Sequence, residues 1–138
     1  MTKKGEDAMA FEQPLFAPAG MVANSDLSQK GYCLVKMVGD MLVDVCSVVT
    51  DKPIGIVQNA PSQGQMCEVM SVGVSKLQVG QSDLDYGASV GTDINGNGAP
   101  YVEGTDTTKY IIGQVISSGS AGAVASVAIN CLIPHRGS

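Results

Sequence analysis

Ile54–Met70, IGIVQNAPSQGQMCEVM, decides how this chain is read, because the same grammar occurs twice. Sliding the sequence so that Ile54 falls on Ile112 lays the stretch on Ile112–Ala128, IGQVISSGSAGAVASVA. Ile54, Gly55, Val57, Ser62, Gly64 and Val69 then meet Ile112, Gly113, Val115, Ser120, Gly122 and Val127, six identities in 17 positions. A strand, a glycine loop and a second strand form each copy, so the chain reads as two tandem β units.

Working outward, Tyr32–Val38 and Met41–Val49 are β-rich runs, and Gly39-Asp40 between them suits a two-residue type II′ turn. Asp44 interrupts the second run and predicts a wet face there. Gln65–Val72 leads to Gly73, where a glycine inside a strand pattern marks a bulge, and Val74–Val79 continues beyond it. In the second unit Ala88–Thr92, Tyr101-Val102, Tyr110–Ser117 and Val124–Ile133 are the expected strands, with turns at Asp93–Gly98 and Glu103–Lys109. No apolar i, i+3, i+4, i+7 stripe persists, so little helix is expected. These readings predict a mainly β fold, a small barrel or sandwich over residues 21–138, with approximate repeats at 31–79 and 87–133.

Residues 1–20 read differently. Their charged opening lacks periodicity, and Pro14 and Pro18 then fix an extended path. Phe11, Leu15 and Phe16 supply the large apolar groups of this region. An extended arm with anchors and no pattern predicts a segment that lies on a neighbouring subunit or covers its own barrel. The expected protein-interaction residues are Phe11, Pro14, Leu15, Phe16 and Pro18.

Composition narrows the function. A chain of 138 residues can bury roughly two-thirds of its unfolded surface and needs no staples. Seventeen glycines and 15% charged residues imply many tight turns and few solvated helix faces. A net charge of −5 with scattered basic residues argues against nucleic-acid binding. Neither a long apolar run nor a signal-peptide core is visible, so synthesis in the cytoplasm and no membrane partner are expected. Cys33, Cys46, Cys67 and Cys131 lack metal or redox spacing and are expected to be buried reduced thiols.

The candidate chemistry is thin. Asp93-Ile94-Asn95-Gly96-Asn97-Gly98 matches the first half of a calcium loop, with Asp93, Asn95 and Asn97 as candidate ligands, but Gly104 occupies the position of the bidentate glutamate. Asn and Gly are equally what a hairpin tip requires. His135 lies near the C-terminus, and Asp83 and Asp85 read as loop-solubilising carboxylates. No nucleophile–base pairing is recognisable, so neither enzymatic activity nor a cofactor is expected.

Ala17-Pro18-Ala19-Gly20, Ile54-Gly55-Ile56-Val57, the strand Glu68–Val74, and Ile112-Gly113-Gln114-Val115 followed by Gly122 and Val124–Ile133 form an ordered series of motifs. In that order and spacing the chain resembles the small capsid cement, or head decoration, proteins of tailed bacteriophages. Two features depart from that pattern: Met21–Lys30 intervenes before the first main strand, and the Met1–Ala10 extension is longer. The resemblance implies a non-enzymatic virion protein on the outer surface of the capsid, partnered by the major capsid protein, by itself as a homotrimer, and by neighbouring decoration subunits through the arm. The alternative reading from residues alone is a calcium-dependent carbohydrate-binding or adhesin-like β module using Asp93–Gly98.

Overall fold

The computed structural model describes residues 12–136 and is all-β, with no helix among those residues. A six-stranded sheet runs in the order β1 (Gln13–Phe16), β7 (Val72–Gln78), β12 (Val124–Asn130), β11 (Gly113–Ser117), β8 (Ser89–Thr92) and β9 (Gly98–Pro100). A five-stranded sheet runs β2 (Val22–Ala23), β4 (Leu42–Val45), β3 (Leu34–Gly39), β5 (Gly55–Val57) and β6 (Val69–Met70). The short pair β10 (Tyr110–Ile111) and β13 (His135–Arg136) forms a third.

The five-stranded sheet curls until its edges meet. Val22 bridges Met66, Cys67 N–H donates to the Met21 carbonyl (2.8 Å), and Ala23 N–H donates to that of Gln65 (3.0 Å). This satisfies both edges with backbone partners and leaves a small barrel wall. Inside it lie Met21, Ala23, Leu27, Val35, Val43, Val57, Cys67 and Val69.

A second core fills the space between this wall and the six-stranded sheet, where Leu34, Ile56 and Met70 meet Leu77, Val115, Val127 and Ile129. The adjacent pairs Leu34/Val35, Ile56/Val57 and Val69/Met70 therefore divide between two cores. Successive side chains of a strand point to opposite faces, so a strand with a core on each side must be apolar at every position. That is why Ile56-Val57 and Val69-Met70 are apolar at both positions rather than alternating.

The two copies of the opening stretch share one register. Ile56 pairs with Met70 and Val57 with Val69, while Gln114 pairs with Ala128 and Val115 with Val127. Each pair maps onto the other by the same shift that aligns the sequences. Gly64 and Gly122 turn the corresponding corners with φ of +83° and +82°. The copies stand in different sheets, one in the barrel wall and one in the six-stranded sheet.

Several local expectations shift. Gly39 remains in the ladder opposite Leu42 after a bulge, and the chain reverses through Asp40 and Met41, with Met41 at φ +53°. The strand expected at Tyr101-Val102 is formed instead by Gly98–Pro100, because Asp93 closes the tip early and sets Gly98 opposite Thr92. Gly73 lies inside the continuous strand β7, and the irregularity sits in its partner β1, where Leu15 is the extra residue between Pro14 and Phe16. The last long strand stops at Asn130, whose side-chain oxygen accepts the Leu132 N–H (3.2 Å).

Candidate interaction surface

Gln13–Phe16 pair antiparallel with β7 and form one edge of the six-stranded sheet. Proline suits this position, since an edge strand needs only one side of its backbone for the ladder. Gly73 makes the approach possible: a Cβ there would collide with the Gln13 carbonyl and crowd Leu15 N and Pro14 Cα. Every residue of β1 is exposed, with Leu15 at 77% and Phe16 at 49%. Pro18 is half-buried and, with Glu12 and Pro14, walls an apolar groove of about 350 Å³ whose other side is Met66–Met70. Phe11, the remaining expected anchor, lies outside the described residues.

The register builds a feature no local motif announces. Gln13, Val74, Ala128, Gln114 and Ser89 stand side by side across five strands on the outer face of the six-stranded sheet. Two grooves flank Ala128 on this face. One of about 320 Å³ is lined by Leu15, Val72 and Val74, and one of about 640 Å³ by Gln114, Ile133 and His135. Ile133 is 75% exposed.

The Asp93 loop lies at the opposite edge, between β8 and β9. One oxygen of Asp93 accepts the N–H groups of Asn95 (2.8 Å) and Asn97 (2.9 Å), an Asx arrangement that closes the tip. The side-chain oxygen of Asn97 accepts the Cys33 thiol (3.3 Å), and Gly96 takes φ +81° against Val45 and the Leu34 carbonyl. Two of the three candidate calcium ligands thus act as internal acceptors of the turn. Asp83 likewise accepts Ala121 N–H (2.8 Å) and ties the connection between the units to the second glycine loop.

His135 sits in β13 opposite Ile111, while Arg136 stacks over the Tyr110 ring at 4.6 Å. All four cysteines are free and buried. Burial pushes the Cys46 and Cys131 thiols up to about 12, and those of Cys33 and Cys67 up to about 11, opposite to the shift a nucleophile or a thiolate ligand requires.

These features define an all-β scaffold with exposed apolar groups on both sheets and several loops, Leu15 and Phe16 among them on the β1 edge of the six-stranded sheet. No family model matches the chain, and no curated protein matches it. Among solved structures the fold is similar to the crystal structure of the head fiber gp8.5 N base of bacteriophage phi29. The TM-score is 0.64 at 16% sequence identity, over 84% of this chain and 96% of that one. The shared property is the fold, and the matched protein is a head fiber base rather than a cement protein.

Proposed function

We propose that this chain is a non-enzymatic structural protein of a bacteriophage head, carried on the outer surface of the capsid. The observation that carries the reading is the fold likeness to a phage head fiber base, which spans 84% of this chain and 96% of that one. The buried high-pKa thiols and the internally engaged Asp93 loop support it, because the polar groups serve the scaffold. Within that role we assign decoration, or cementing, of contacts between major capsid subunits, as a homotrimer. Residues Phe11, Pro14, Leu15, Phe16 and Pro18 provide the contacts to neighbouring subunits. Leu15 and Phe16 favour this, since large apolar side chains held out from an ordered edge strand offer contact area at little further entropic cost.

The test mixes purified protein with expanded heads assembled from the major capsid protein of the same genome, and follows occupancy by negative-stain microscopy and co-sedimentation. Stoichiometric binding to the outside is expected, with occupancy lowered by removal of residues 1–11. A folded protein that leaves expanded heads bare would overturn the proposal.

A further inference from the structure

We infer that Asn95, at the tip between β8 and β9, is a self-modification site of the folded protein, where attack by the Gly96 amide nitrogen converts the carboxamide to aspartate and isoaspartate. Asn97, which is followed by glycine in the same way, is spared. The inference is independent of attachment to a head.

The sequence offers the two sites on equal terms, since a glycine follows each asparagine and no side chain shields its nitrogen. The structure separates them. The Asn97 side-chain oxygen accepts the Cys33 thiol (3.3 Å), its N–H donates to Asp93 Oδ1 (2.9 Å), and its carbonyl accepts the Asp93 N–H (2.9 Å). Gly98 is fixed in the ladder opposite Thr92, and its carbonyl accepts the Gly80 N–H (3.0 Å). A carboxamide and a backbone nitrogen held in this way cannot swing together.

Asn95 is exposed, and its carboxamide has no partner among the described residues. The side chains of Asn24, Asn59 and Asn130 are engaged, with Asp44, with Met66 and Glu68, and with Leu132. The Gly96 N–H donates to the Asp93 carbonyl at 3.4 Å, a long and weak bond that leaves the nitrogen available.

A cation completes the arrangement. Lys30 Nζ donates to the Asn95 carbonyl oxygen (3.4 Å), which belongs to the same peptide unit as the Gly96 nitrogen. When that nitrogen loses its proton the negative charge spreads onto this oxygen, so the ammonium favours the nucleophilic form. Charge attraction falls off slowly with distance and still acts at this separation.

The step balances with water alone. The deprotonated Gly96 nitrogen attacks Cγ of Asn95, the new N–Cγ bond forms as Cγ–Nδ2 breaks, and the carboxamide nitrogen leaves as ammonia with the proton. Water then opens the succinimide at either carbonyl, giving aspartate or isoaspartate. Either product adds a negative charge to the net −5. Isoaspartate also inserts a methylene into the backbone between the two N–H groups that share Asp93 Oδ1, which loosens the tip.

The test incubates the full folded chain in mildly alkaline H₂¹⁸O buffer beside a sample in urea, and follows both sites by peptide mapping at acidic pH. In the folded chain Asn95 should convert at least tenfold faster than Asn97, with ¹⁸O in the products and isoaspartate among them. In urea the two rates should agree within about threefold, because only the shared dipeptide then decides. Lys30→Met should slow Asn95 at least twofold in the folded chain and leave the urea rates unchanged, while Lys30→Arg keeps the parent rate. Equal rates in the folded chain, faster conversion at Asn97, or an Asn95 that survives while the urea sample is consumed would overturn the inference. Aspartate formed without isoaspartate would overturn the succinimide route, and a Lys30→Met rate equal to the parent's would overturn the part given to Lys30.

Discussion

Gly55 and Gly113 hold the same place in two different sheets: a methyl group on Gly55 would strike the Met70 carbonyl oxygen, and one on Gly113 the Ala128 carbonyl oxygen. Met70 and Ala128 are equivalent under the shift that relates the two copies, so one steric requirement has been kept twice. Gly55→Ala and Gly113→Ala each force the paired strands apart and should cost about 1–3 kcal/mol or more. Gly64 and Gly122 are also paired by the shift, but they turn at positive φ into open space. There the penalty is backbone strain, about 1–2 kcal/mol for alanine, and asparagine should recover part of it. Urea denaturation of the four alanine and four asparagine variants separates the classes, since asparagine at position 55 or 113 recovers nothing.

A glycine also governs the edge strand. Gly73 lies at φ +139° directly under the bulge of β1, with Gln13, Pro14 and Leu15 all within contact of the missing Cβ. Gly73→Ala should detach β1 while the rest of the sheet stays paired, because β7 keeps its continuous register with β12. Hydrogen exchange is the direct measurement. Ser71 N–H, which donates to the Phe16 carbonyl at 3.0 Å, should lose protection, and Ala125 and Val127 should keep theirs.

This relationship shows what the sequence could and could not disclose. The all-β class, the repeat and the strand–glycine–strand order were legible because each is local grammar, fixed by β-branched runs and by residues that tolerate positive φ. Leu15 and Phe16 could be singled out from their chemistry as the large apolar side chains of this region. Their seat on β7 could not, because it depends on the missing side chain of Gly73 far along the chain. The same holds for the row from Gln13 to Ser89, which exists only once four strand registers are set. Two cores were hidden for a related reason: an apolar run such as Ile56-Val57 states that both faces are buried without stating against what.

Burial of the four thiols sets an alkaline limit. Their folded pKa values lie above the ordinary value of 9.0, so between pH 9 and about 11–12 the unfolded chain has released protons that the folded chain retains. The thiols' contribution to stability is therefore complete below pH 9 and declines as pH rises through that window. The melting temperature should fall with pH there, and less steeply after Cys46→Ala at the most strongly shifted class of site. At pH 8 a thiol reagent should label the native protein slowly and all four cysteines promptly in denaturant.

Asp51 sets an acid limit. Desolvation pushes its carboxyl up, but the N–H groups of Ser47 (2.8 Å) and Val48 (2.9 Å) and the Lys36 ammonium (2.9 Å) outweigh this and hold it below its ordinary value of 3.8. A lowered folded pKa gives stability that is present above 3.8 and lost as pH falls below it. Asp51→Asn should cost about 1–2 kcal/mol at pH 7. It should also flatten the loss of stability on the acid side, which thermal melts between pH 7 and pH 3 will show.

The Asp93 loop separates a turn from a metal site. If the carboxylate serves the hairpin tip, Asp93→Ala orphans the N–H groups of Asn95 and Asn97 and frees the end of β8 and β9, at a cost of about 1–2 kcal/mol. Asp93→Asn retains an acceptor oxygen and should lose less than half of that. A calcium loop orders the two variants differently: both reduce affinity, because a hard cation needs the negative oxygen that Asn lacks. Melting of the parent in millimolar calcium and in chelator adds the second measurement. Since Asp93 Oδ1 is committed to two backbone donors and the Asn97 oxygen to Cys33, the expected outcome is equal melting temperatures in both solutions. A rise in calcium that Asp93→Asn abolishes would instead assign the loop to the cation.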